Sequence, residues 1–205
     1  LDGNFMVWSF KPTMRAMRFS GHRGPVNAVS FNPEGNLIAS GSSDCCVRLW
    51  VPTVRAENTM IKAHAGSVRS LVFSASGSSL LTGGDDKAVK LWDVATQRFS
   101  NGFAGHSNWV RCVSLSSDGR LAASGGDDSV ANIWDLSSKR PVHQFMDHTD
   151  SVTAVTFHPD GNCAATGSRD RTINLWDLRM NQILQHYEAH SDAVTSLSFN
   201  ASGSW

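Results

Sequence analysis

Apolar and polar positions alternate along this chain in short runs. Val26 to Phe31 reads VNAVSF, Leu37 to Gly41 reads LIASG, and Val47 to Val51 reads VRLWV. Runs of this length with a period of two predict β-strands buried on one face. Asn32-Pro33-Glu34-Gly35 and Ser43-Asp44 are turn sequences between them. A fourth strand is expected near Thr59 to Lys62, before a loop that carries His64. The pattern predicts four antiparallel strands joined by short turns.

The same grammar returns along the whole sequence. First strands are expected at VRSLVF from Val68, VRCVSL from Val110, VTAVTF from Val152 and VTSLSF from Val194. Trp8, Trp50, Trp92, Trp134 and Trp176 stand 42 residues apart. His22, His64, His106, His148 and His190 keep that period, as do Asp2, Asp44, Asp86, Asp128 and Asp170. So do the turn glycines Gly35, Gly77, Gly119, Gly161 and Gly203, placed for a hairpin position of positive φ. Several residue types on one register mark an array of one unit. A unit of about 40–45 residues ending in Trp-Asp predicts a blade of a β-propeller.

The expected fold class is therefore all-β, a propeller of four-stranded antiparallel blades. The chain divides into a partial blade 1–21, blades 22–63, 64–105, 106–147 and 148–189, and a partial blade 190–205, all in one domain 1–205. These roughly five periods fall short of the commonest ring of seven, which needs about 290 residues. An open arc would leave raw sheet edges, so the sequence is expected to be a piece of a longer, seven-bladed protein.

Composition narrows the partners. Lysine plus arginine and aspartate plus glutamate both number 18, so the formal net charge is zero. A bulk basic field for nucleic acid or an anionic membrane is absent, and neither partner is expected. No apolar run reaches the length of a membrane span, and no signal segment opens the chain. Cys112 and Cys163 are expected as small core residues, and Cys45 and Cys46 as strand neighbours that cannot bridge each other. This usage predicts a reducing, intracellular compartment.

Five periodic histidines raise the possibility of metal sites. Ligands, however, converge on one point, whereas these are spread one per blade. A hydroxyl stands ten residues before each of four tryptophans: Ser40, Thr82, Ser124 and Thr166. The sets His22–Ser40–Asp44–Trp50, His64–Thr82–Asp86–Trp92, His106–Ser124–Asp128–Trp134 and His148–Thr166–Asp170–Trp176 can each form one hydrogen-bond chain. A structural network is expected, with no metal, no cofactor and no catalytic residue. His186 to His190 is not an H-E-x-x-H motif, and Gly83-Gly84 and Gly125-Gly126 read as strand ends instead of phosphate cradles.

These motifs resemble the WD-repeat family over the whole chain. They include Gly21-His22, Gly105-His106, Trp92-Asp93, Trp134-Asp135 and Trp176-Asp177. Trp8-Ser9 and Trp50-Val51 depart from the Trp-Asp pair, and Ala63, Asp147 and Ala189 replace the glycine before histidine. The resemblance implies a scaffold that binds proteins on a top face, made by the loops before each first strand and by the tight turns. On this face it places Pro25, Asn27 and Ser43; Ser67, Arg69 and Asp85; Trp109, Arg111 and Asp127; Ser151, Thr153 and Arg169; and Ala193 and Thr195. Arg69, Asp85, Trp109, Arg111, Asp127, Thr153 and Arg169 are the expected partner-binding residues.

Trp109 fills a slot held elsewhere by proline, serine or alanine, and with Arg111 it has the makeup of a hot spot. The alternative is a ring folded over the neighbouring loop as local packing. Arg69, Arg111 and Arg169 would form a positive band, partly offset by Asp85 and Asp127, or else a solvated rim of ion pairs.

Three segments are more particular: Val47 to Pro52, Asn108 to Cys112 and Ile183 to Ser191. They are similar to centriolar WD-repeat proteins, whose seven-bladed propeller is followed by a linker and a helical segment. That resemblance implies a centriole or basal-body component that binds triplet microtubules, with tubulin and centriolar scaffold proteins as partners, and supports cilium formation. Trp176-Asp177-Leu178-Arg179 instead resembles the adaptor-binding box of WD-repeat substrate receptors in cullin–RING ubiquitin ligases.

Overall fold

The computed structural model describes residues 3–10, 14–53, 57–188 and 190–200. Asp2, Ala189, Gly203 and Trp205 lie outside them. Eighteen strands follow one another with no helix among the described residues. β1 (Asn4–Ser9) and β2 (Arg15–Ser20) form a two-stranded antiparallel sheet.

Four sheets of four strands come next, each paired in sequence order. The first holds β3 (Val26–Phe31), β4 (Ile38–Ser42), β5 (Cys46–Trp50) and β6 (Asn58–Lys62). The second holds β7 (Val68–Phe73), β8 (Ser79–Gly84), β9 (Ala88–Asp93) and β10 (Arg98–Ala104). The third holds β11 (Val110–Leu115), β12 (Leu121–Gly126), β13 (Ala131–Asp135) and β14 (Arg140–Phe145). The fourth holds β15 (Val152–Phe157), β16 (Cys163–Ser168), β17 (Ile173–Asp177) and β18 (Gln182–Tyr187). Val194 to Phe199 carries the same strand pattern but forms no strand, since a first strand pairs with a second that no described residue supplies.

The turns follow their chemistry. Gly35 has φ 72°, as the first hairpin requires, and its amide donates to Asn32 O at 3.0 Å. After three of the third strands an aspartate carboxylate caps the next turn. Asp93 accepts the Thr96 amide, Asp135 those of Ser137 and Ser138, and Asp177 those of Arg179 and Met180. Where Val51-Pro52 replaces this aspartate, the amide of Val51 reaches on to Glu57 O at 2.9 Å and the connection lengthens. Cys45 sits in the tight turn at φ 69°, not in a strand, and only Cys46 belongs to β5. Cys112 is buried, but Cys163 at the start of β16 is only half-buried, because its side chain lies at the sheet's end.

Successive blades lock together through a small residue and a branched one. A Cβ on Gly41 would stand 2.6 Å from Val68 Cγ1 of the next blade. The same seat recurs at Gly83 for Val110, at Gly125 for Val152 and at Gly167 for Val194, at 2.5 to 2.6 Å. Val68, Val110 and Val152 are fully buried there. Gly83 and Gly125, two of the glycines read from sequence as strand ends, are thus sockets that let blades approach.

A second contact crosses the outer strands. Phe19 meets Trp50 at 5.6 Å between centroids, Phe103 meets Trp134 at 5.5 Å, and Phe145 stacks on Trp176 at 4.0 Å. Ile61 packs into the cluster that holds Trp92. Each indole is therefore covered by the last strand of the preceding blade, and hydrophobic burial joins each blade to its neighbour.

Candidate functional site

Two layers of polar residues sit at the rim of the blades. The inner one is the periodic network. In the first complete blade, Trp50 Nε1 donates to Ser40 Oγ at 2.7 Å, Ser40 Oγ lies 2.7 Å from His22 Nε2, and His22 Nδ1 lies 2.9 Å from Asp44. Trp92, Thr82, His64 and Asp86 repeat the chain at 2.9, 2.8 and 2.7 Å. Trp134, Ser124, His106 and Asp128 do so at 2.9, 2.8 and 3.0 Å. Trp176, Thr166, His148 and Asp170 do so at 2.8 Å throughout.

Donor logic fixes the protons. The carboxylate only accepts, so Nδ1 carries the proton and donates to it; Nε2 of the neutral imidazole then accepts from the hydroxyl, whose oxygen accepts the indole N–H. Each aspartate also accepts backbone amides of its loops, such as Arg23 N and Cys46 N on Asp44. Burial opposes the charge of Asp44, Asp86, Asp128 and Asp170, but these hydrogen bonds outweigh it and hold all four below the ordinary carboxylate range. Burial pushes the His64 imidazole below its usual value against the pull of Asp86.

A hydroxyl, an imidazole and a carboxylate in this order are also the parts of a nucleophilic triad. Here Ser40, Thr82, Ser124 and Thr166 are fully buried, and each hydroxyl is already held by an indole. No substrate can reach them, so these four sets hold loops to strands. Among the described residues, no group of three or more His, Cys, Asp or Glu could hold a metal. In the partial blade, Trp8 stands 51% exposed.

The outer layer faces solvent. In each blade the first strand carries a register shift, between Val26 and Ala28, Val68 and Ser70, Val110 and Cys112, and Val152 and Ala154. The residues at the shifts are Asn27, Arg69, Arg111 and Thr153. A bulge re-aims a side chain out of the sheet's alternation. These four turn toward the tight turn or the neighbouring blade. Asn27 Nδ2 donates to Ser43 Oγ at 3.1 Å and to Val68 O at 2.8 Å. Thr153 Oγ1 donates to Val194 O.

Arg69 and Arg111 make forked pairs. Arg69 donates through Nε and Nη2 to the two oxygens of Asp85 at 2.7 and 2.6 Å. Arg111 does the same to Asp127 at 2.7 and 2.5 Å. Asp127 also accepts the hydroxyl of Ser151 from the next blade at 2.5 Å. Burial works against its charge, but Arg111 and Ser151 keep its carboxyl below the usual range.

Trp109 completes the cluster. Its ring lies 5.8 Å from the Arg69 guanidinium and 5.1 Å from that of Arg111, within cation–π range of both. It remains 42% exposed. The ring is thus both locally held and presented to solvent, so the two sequence readings of it meet in one arrangement. Of the two readings of the arginine band, the ion-paired one holds for Arg69 and Arg111, which sit in forked pairs with Asp85 and Asp127, whereas Arg169 is exposed and has no ion pair among the described residues.

The WD domain, G-beta repeat family matches residues 14–51, 56–93, 97–135, 139–177 and 181–205. The chain belongs to the WD-repeat family. The first four matched repeats each open with the outer strand of one sheet and end with the third strand of the next. The stretch 56–93, for instance, contains β6 and then β7 to β9. Sequence repeats therefore lace neighbouring blades together.

Individual relatives match over about one repeat. The Periodic tryptophan protein 2 homolog of Schizosaccharomyces pombe is 46% identical over 44 residues, 22% of this chain and 5% of that protein. The Serine-threonine kinase receptor-associated protein of Gallus gallus is 53% identical over 36 residues, 18% of this chain and 10% of that protein. The Ribosome biogenesis protein bop1-B of Xenopus laevis is 39% identical over 51 residues, 24% of this chain and 7% of that protein. The chain matches only a small fraction of each relative's length, and none of the three carries a centriolar name.

Proposed function

We propose that this chain is part of a rigid, non-catalytic scaffold that docks a protein partner on the face carrying Trp109. The carrying observation is the half-exposed indole held by two arginines, each locked in turn by a carboxylate. An aromatic anchor whose conformation is already fixed loses little entropy on binding. It breaks the repeat at a position where the other blades carry small residues, while the surrounding bulges and networks repeat.

In its finer form the proposal places the scaffold in the centriole or basal body, where it binds triplet microtubules and supports cilium assembly. This rests on the likeness of Val47 to Pro52, Asn108 to Cys112 and Ile183 to Ser191 to centriolar WD-repeat proteins. The test is localisation of the full-length protein, tagged, in a ciliated cell. Concentration at basal bodies that is lost with Trp109→Ala, Arg111→Ala supports both parts. Retention of that double variant with normal turnover moves the contact elsewhere. An unmodified protein absent from basal bodies removes the centriolar reading and leaves the docking face standing. Enrichment in the nucleolus would favour a role like that in the name of the ribosome biogenesis relative.

One observation favours a second reading. Asp177 is consumed by the turn amides, whereas Arg179 is exposed at the blade's opposite rim. That exposure suits an adaptor contact of a ubiquitin-ligase substrate receptor. Adaptor binding abolished by Arg179→Ala would establish it.

A further inference from the structure

Four blades build the top rim with one backbone bond. The turn residue donates its amide to the residue before the first strand: Ser43 to Pro25 O, Asp85 to Ser67 O and Asp127 to Trp109 O at 2.9 Å, and Arg169 to Ser151 O at 3.0 Å. Arg169 therefore occupies the place of Asp85 and Asp127. In those two blades the residue at the bulge is an arginine, and carboxylate and guanidinium satisfy each other. In the fourth blade the order is inverted. The cation stands on the turn, and the residue at the bulge is Thr153, which carries no charge and whose hydroxyl is spent on backbone carbonyls.

The nearby acids are already engaged from within. Asp127 holds Arg111 and Ser151. Asp170 accepts His148, the Thr149 amide, and both the amide and the hydroxyl of Thr172. Arg169 lies close enough to Asp127 to lower its pKa but makes no hydrogen bond to it. Arg171, two residues further on, is also exposed and without an ion pair among the described residues. One blade away stands the Trp109 ring. The rim thus presents an aromatic anchor beside a cation whose carboxylate is missing.

We propose that Arg169 binds a carboxylate supplied by the partner, an aspartate or glutamate in an acidic segment lying across Trp109 and Arg169. This rests on the reading of the Trp109 face as the docking face. The fork of Arg169 takes the carboxylate as Arg69 and Arg111 take theirs within the protein.

The test is an NMR titration of the full-length protein at low salt with three peptides: hexaglutamate, hexaglutamine and a serine-phosphorylated peptide of equal charge. The expected result is binding of hexaglutamate that shifts the Trp109 indole N–H and weakens steeply with salt, with no binding of hexaglutamine. Arg169→Glu should weaken hexaglutamate by about tenfold. That variant puts a carboxylate where Asp85 and Asp127 already stand, so the turn accommodates it, and an unchanged melting temperature checks this. Arg179→Glu at the opposite rim should have no effect.

Equal hexaglutamate affinity in wild type and Arg169→Glu overturns the proposal. So does binding of the phosphorylated peptide without hexaglutamate. The two readings fail separately. Loss of localisation in Trp109→Ala, Arg111→Ala with hexaglutamate affinity unaffected by Arg169→Glu removes the acidic segment and keeps the docking face. Normal localisation of that double variant removes the docking face itself.

Discussion

The guanidinium of Arg111 lies 5.1 Å from the ring of Trp109, two residues before it, while its fork grips both oxygens of Asp127. One arginine thus ties an exposed aromatic ring to the tight turn of its own blade. Ser151 extends the tie to the next blade through the same carboxylate. The arrangement presents an apolar surface without letting it move, which separates it from the buried indoles of the repeat.

That separation predicts two classes of tryptophan. Trp134 is 2% exposed, lies against Phe103 and donates to Ser124. Trp134→Ala should cost about 3–5 kcal/mol from the lost ring and the cavity it leaves. Trp109→Ala should cost less than about 1 kcal/mol, as an exposed substitution does. Denaturant unfolding of both variants measures this, and equal losses would show that Trp109 is part of the core.

The blade sockets predict a coupled pair. A Cβ at Gly83 would stand 2.6 Å from Val110 Cγ1 and 2.9 Å from Val113 Cγ1. Gly83→Ala should destabilise by about 1–3 kcal/mol through overpacking. Adding Val110→Ala should cost less in that background than in wild type, because it vacates the same space. Strict additivity of the two in a double-mutant cycle would contradict the socket.

Much of this was legible as period. The strands, the positive-φ glycine of the first hairpin and the four hydrogen-bonded sets all follow from residues that recur at 42, because each blade must solve the same burial problem. The outer-strand contact recurs too, at Phe19, Ile61, Phe103 and Phe145. Ile61 breaks the aromatic series while packing with Trp92 in the same cluster, so residue type alone hides the recurrence. The socket glycines were visible but unreadable as sockets, since the valine that needs each one belongs to the next blade. The bulges at Arg69 and Arg111 leave no trace in composition, because register is a property of the paired strand. For the same reason the forked pairs with Asp85 and Asp127 could be weighed from sequence only as one of two outcomes.

The carboxylates predict how stability responds to acid. Asp128 is held below its ordinary value of 3.8, since its bonds to His106, Ser107 and Val130 outweigh the cost of burial. In the unfolded chain it returns to that value, so it binds protons there first. Its contribution is fully present above about pH 4 and is lost as pH falls through the lower folded value. Asp44, Asp86 and Asp170 act in the same direction. His64, depressed mainly by burial, adds a loss that begins as pH falls below its unfolded value of 6.5. Unfolding free energy measured from pH 7 to pH 2 should fall steadily, and Asp128→Asn should flatten the acid limb. An acid limb unchanged by that substitution would contradict the assignment.

The most direct test of the docking face is photocrosslinking from inside it. A photoreactive phenylalanine analogue replaces Trp109 in the full-length protein in ciliated cells. A second protein carries it at Val142, 47% exposed on the outer strand β14. The account predicts a discrete crosslinked protein from position 109, suppressed by Arg69→Ala, and none of that species from position 142. A discrete crosslinked protein from position 142, with none from position 109, would contradict it.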